Sequence, residues 1–212
     1  MSIEMQQSRL IIAAALSLAG ISSVFAASSV DLVVKGTITP SACTPTVSSN
    51  GLVDHGKISV KDLSISTQLP DATLQLAVVC DAATLLAVKG TDNRPGTAWF
   101  NGYETISLFG LGLSADNQKL GAYRLVMENT TVDGAAVSLI ESVDGETWFP
   151  AADVWQPRWM RAVSGPQGAD HLPVAIQNLA TDVVISTFVR KPKMTTEEIP
   201  LDGSATLDIV YL

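Results

Sequence analysis

Histidine and cysteine are scarce in this sequence, with two of each in 212 residues. Neither Cys43 nor Cys80 sits in a C-x-x-C pair, and no carboxylate or imidazole spacing matches a ligand set, so no metal, redox centre or other cofactor is expected. No G-x-S-x-G elbow occurs to partner His55 or His171. Asp54 and His55 are adjacent, which in a strand points their side chains to opposite faces. Gly110 and Gly112 in LFGLGL lack the third glycine and following helix of a phosphate-binding loop. Catalysis is therefore not expected. Basic residues are also few: 13 Lys and Arg stand against 21 Asp and Glu, a net charge of −8. The one dense basic stretch, FVRKPKM with Arg190, Lys191 and Lys193, reads as a solvated loop, and a nucleic-acid partner is not expected. Beyond the first thirty or so positions no apolar run approaches the ~18 residues of a membrane-spanning helix.

What is present begins at the N-terminus. Arg9 precedes an apolar core from Leu10 to Ala19, and Val24-Phe25-Ala26 fits a small-residue cleavage site before Ala27. This is the pattern of a secretory signal peptide over residues 1–26. Met5 offers a second start that removes Glu4 from the n-region. In an exported chain a single cysteine pair reads as one structural disulfide, Cys43–Cys80, worth about 4 kcal/mol on the chain-entropy model.

The remainder reads as all-β. Val30, Leu32 and Val34 alternate with polar or outward positions, as do Leu74, Leu76, Val78 and Cys80, and as do Leu207, Ile209 and Tyr211. Further short runs (ATLLAVKG, TISLFGLGL, GAYRLVM, AAVSLIES, LPVAIQNL, DVVISTFV) are separated by turn chemistry such as TDNRPG, TVDG, SVDG and PLDG. Ten or so short strands with helix confined to turns predict a β-sandwich. The irregular stretch from Gly145 to His171 holds Trp148, Trp155 and Trp159 and is expected to be a long surface loop. Its aromatics read as core anchors first, and as a sugar-stacking platform second.

Two apolar strands lack an evident local partner: SSVDLVVKG, just after the cleavage point, and the terminal ATLDIVYL. Together with VVKGTITPSAC, the cysteine spacing and the penultimate Tyr211, they resemble the chaperone–usher pilins. DNQKLGAYRLVM, VSLIESVDGETW and DGSATLDIVYL are similar to the β-clade fimbrial major subunits, a family of formerly unknown function. The resemblance implies an incomplete immunoglobulin-like β-sandwich over residues 36–212, completed by a donor strand from another subunit. It implies an N-terminal donor extension over residues 27–35, with Val30, Leu32 and Val34 as the inserted side chains. Leu207, Ile209 and Tyr211 would line the acceptor edge, and the Leu212 carboxylate would be held by the chaperone. The implied partners are a periplasmic chaperone, an outer-membrane usher and other fimbrial subunits, in a homopolymeric shaft on the cell surface that supports adhesion. The extension before Gly36 is shorter than in many pilins and carries no internal glycine. The rival expectation is a secreted or periplasmic carbohydrate-binding sandwich using the tryptophans between 148 and 159.

Overall fold

The computed structural model describes residues 32–36, 42–165, 171–193 and 197–212. The chain divides into two units, Met1–Thr39 and Pro40–Leu212. Residues 1–26, expected from sequence to be a signal peptide, and Val30 lie outside the described residues. In the first unit, residues 32–36 form neither helix nor strand, and Leu32 and Val34 are 88% and 87% exposed.

The second unit is all-β. In chain order its strands are β1 (Cys43–Val47), β2 (Thr67–Gln68), β3 (Ala72–Thr84), β4 (Leu86–Asp92), β5 (Trp99–Phe100), β6 (Tyr103–Glu104) and β7 (Phe109–Gly110). There follow β8 (Gly121–Val132), β9 (Ala135–Ala136), β10 (Ser138–Ser142), β11 (Phe149–Pro150), β12 (Met160–Ser164), β13 (Ile176–Val189) and β14 (Ala205–Tyr211). Helix is confined, among the described residues, to single 3₁₀ turns at Ser48–Gly51 and Val60–Asp62.

Two antiparallel sheets carry the fold. The first runs β1-β3-β13-β8-β7, with β2 added to β13 and β9 to β8. The second runs β11-β10-β12-β4-β14. Period-2 alternation explains how they pack. Leu76 and Val78 of β3, Tyr123 and Leu125 of β8, and Val183 and Ile185 of β13 turn to the same interior as Leu86 and Val88 of β4 and Val163 of β12. All belong to one buried cluster, in which the Phe109 and Tyr123 rings stack at 5.3 Å. Gly90 of β4 allows the Phe109 and Trp155 rings to approach the backbone, since a Cβ there would stand 3.3 and 3.4 Å from them. A smaller cluster of Ala87, Ile140, Trp148, Met160 and Ala162 covers the opposite face of the second sheet. The disulfide joins Cys43 and Cys80, directly opposed residues of β1 and β3.

The stretch from Gly145 to His171 is not one long loop. It holds the edge strand β11 and the inner strand β12, which lies between β10 and β4. The MRAVS pattern hides β12 because Arg161, a charged residue, occupies an inward position beside Val163. Likewise LPVAIQNL and DVVISTFV do not make two strands: the 14 residues of β13 run through both, with register shifts between Ile176 and Asn178 and between Ala180 and Asp182. TISLFGLGL contributes only Phe109–Gly110.

Candidate functional site

β14 is the last strand of its sheet, and its outer edge pairs with no described strand. Its register fixes what that edge presents. Asn93 N donates to Ser204 O at 3.0 Å and Leu212 N to Leu85 O at 3.1 Å, so the even-numbered residues direct their backbone groups toward β4. In an antiparallel ladder the alternate residues direct theirs the other way. The N–H and C=O groups of Ala205, Leu207, Ile209 and Tyr211 therefore point out of the sheet. The side chains of Ala205, Leu207 and Ile209 turn to the main core, where they are only partly buried.

Beside this edge lies a cleft of about 560 Å³. Leu111, Tyr123, Leu125, Val183 and Ile185 form its floor, the chain from Gly203 to Leu207 forms one wall, and Pro45, Val47, Leu52, Val53 and His55 form the other. The cleft is thus a gap in the core between the edges of the two sheets. Burial raises the Tyr123 phenol above its ordinary range, with the Asp92 carboxylate adding to the effect. His55 enters from the unpaired segment between β1 and the second 3₁₀ turn and shares a 3.0 Å hydrogen bond with Thr187 on β13. Asp54 instead accepts the Gly56 N–H at 2.8 Å, so the adjacent Asp and His serve separate structures.

The two ends of the cleft differ. At one end the Tyr211 hydroxyl accepts a hydrogen bond from Cys43 N at 3.0 Å, bridging the gap between β14 and β1. At the other, Arg94 donates through Nε and Nη2 to Asp202 at 2.7 and 2.8 Å. That pairing holds the Asp202 carboxyl below the usual carboxylate range and fixes the chain entering β14. The β1 edge is a poor ladder partner. Asp81 N bonds Ala42 O, so Cys43, Pro45 and Val47 face outward. Cys43 N–H is taken by Tyr211, and Pro45 has none to give.

The residues singled out from sequence fall as follows. Leu207 and Ile209 line the β14 edge, while Tyr211 and Leu212 are 53% and 41% exposed. Trp155 is fully enclosed, its Nε1 donating to Trp159 O at 2.9 Å. Trp148 is also buried, and Trp159 packs half-buried against the main core. These three rings anchor their segment on the two apolar clusters. Sequence reasoning missed the floor of the cleft, because Leu111, Tyr123 and Leu125 look like any core residues until the two sheet edges leave a gap above them. Pro45 in the first strand was the available signal of an open edge.

Residues 32–105 match a family described as a protein of unknown function, DUF1120. The match covers the exposed run at Leu32 and continues through β6. Similarity over most of the chain comes from two Escherichia coli (strain K12) proteins. One, called uncharacterized protein YhcF, is 28% identical over 88% of this chain and 92% of its own length. The other, protein GltF, is 27% identical over 95% of this chain and 96% of its own. Among the described residues no helix is long and apolar enough to cross a membrane.

Proposed function

We propose that this chain is a structural subunit of a chaperone–usher fimbria, joined to its neighbours by donor-strand exchange. The observation that carries the reading is the free β14 edge beside an open apolar cleft, in a chain that also carries the exposed run Leu32–Val33–Val34. An unpaired edge next to uncovered core is an aggregation hazard that soluble proteins blunt or cover. Strand addition covers it with a ladder of backbone bonds and with side chains that fill the gap. Three aliphatic donors at about 1.5–3 kcal/mol each make such an exchange favourable. On this reading a periplasmic chaperone occupies the cleft until an outer-membrane usher passes the subunit to its neighbour, and the assembled fibre stands on the cell surface.

The test compares the full chain with one lacking residues 27–35, each expressed with its export signal and a cognate chaperone and usher. The full chain should yield polymers that survive unheated detergent electrophoresis. The shortened chain should yield only a chaperone-bound monomer. A full chain that folds as a stable monomer with no partner, its cleft filled from within, overturns the proposal.

A further inference from the structure

The cleft is bridged at one end, and this bears on how a strand can enter it. The Tyr211–Cys43 hydrogen bond spans the gap at the far end of β14. None of Cys43, Ile209 or Tyr211 lines the cleft, whereas every residue from Gly203 to Leu207 does. The segment supplied by a second copy must leave the cleft to rejoin its own domain, which begins just past Gly36. Only its processed N-terminus, near Ala27, can stop inside. The bridged end must therefore receive the N-terminal end of the segment, so the added strand runs antiparallel to β14. It extends the sheet of β14 rather than that of β1, because Pro45 lacks the N–H that the β1 edge would need.

Size then selects the register. We infer that Leu32 of a second copy sits opposite Ala205, with Val30 opposite Leu207, Val34 opposite Gly203 and Ser28 opposite Ile209. Each pair sets a larger side chain against a smaller one, as interdigitating layers require. Leu32, the largest donor, then stands over Tyr123 and Leu125, where the cleft is open. Gly203 belongs to this fit: a Cβ there would meet Leu111 at 2.9 Å and Tyr123 at 3.0 Å, so the partner of Val34 carries no side chain of its own. The three partners on β14, Ala205, Leu207 and Ile209, belong to the set whose inward face and outward backbone coincide, so Leu32, Val30 and Ser28 fall in hydrogen-bonded pairs with it. Charge agrees. Asp31 falls beside Thr206, and Lys35 reaches the 59%-exposed carboxylate of Asp202. Moving the strand two residues toward Tyr211 would set Asp31 opposite Asp208 and Gly36, with no side chain, opposite Gly203.

This register rests on the strand-addition reading, and paired cysteines in the full-length exported chain separate the two. Assembled material is resolved without reductant. Leu32→Cys with Ala205→Cys, and Val30→Cys with Leu207→Cys, should each give a ladder of covalently joined subunits. Val34→Cys with Leu207→Cys, the parallel arrangement, and Val34→Cys with Ala205→Cys, the shifted one, should give none. A ladder from either of the last two overturns the register while leaving strand addition standing. Polymers that form without a ladder from any of the four overturn both. A size exchange guards against loss of folding: Leu32→Ala should reduce polymer yield, and Ala205→Leu added to it should restore yield. No recovery by the pair overturns the Leu32–Ala205 assignment.

Discussion

Asp144 shows how a single side chain sets a local structure that the sequence announces only as SVDG. Its Oδ1 accepts the N–H groups of Thr147 and Glu146 at 2.8 and 2.9 Å and the Ser142 hydroxyl at 2.9 Å. These donors, the Thr147 N–H foremost, pull its pKa down to about 2. A carboxyl whose folded pKa is depressed stabilises the fold above the unfolded pKa, and that contribution is lost as pH falls through the folded value. Asp144→Asn should therefore lower stability by a constant amount above about pH 4, and the difference from the parent should shrink as pH falls toward about 2. Denaturant titrations at stepped pH read this directly, and a difference that persists unchanged at the lowest pH would place the effect elsewhere. Turn chemistry of this kind was legible residue by residue. The inward Arg161 was not, because nothing local distinguishes a buried guanidinium from a solvated one.

At the scale of elements, the strands with clean alternation were legible: β3 around Leu74–Cys80, β8, and β14. The unreadable one was β12, whose inward row is Arg161 and Val163. Arg161 is 2% exposed, 3.4 Å from Glu141 on β10, bonded to Ala152 O, and lies over the Trp155 ring at 5.7 Å. Burial lowers its pKa while Glu141 opposes that shift. Its Nε has no hydrogen-bond partner, so the pair stands desolvated and incompletely satisfied. Removing one partner of such a pair strands the other, at about 3–5 kcal/mol, whereas replacing both with apolar residues is often neutral or stabilising. Arg161→Met should thus cost about 3–5 kcal/mol in chemical denaturation, and Arg161→Met with Glu141→Leu close to nothing. Equal losses in the two variants would show that the stability of β10 and β12 does not depend on the pairing.

For the whole molecule, the all-β class and the Cys43–Cys80 bridge followed from alternation, turns and the lone cysteine pair. The cleft did not, because a gap in a core depends on which strands become neighbours, and β14 pairs with β4 across more than a hundred residues. The bridge closes a separation of 37 residues. Replacing both cysteines by serine should lower unfolding stability by about 4 kcal/mol, with the loss measured against the oxidised parent; a reduced parent should match the variant. Cys43 has a second duty, since its N–H is the one that meets Tyr211. Sulfur chemistry and groove length are thereby linked at one residue. Without the disulfide, the start of β1 is held to β3 by backbone bonds alone. Once oxidised, the same residue becomes a fixed post. On the strand-addition proposal, the stop that positions a neighbour is complete only after the chain has met an oxidant that takes two electrons from the cysteine pair.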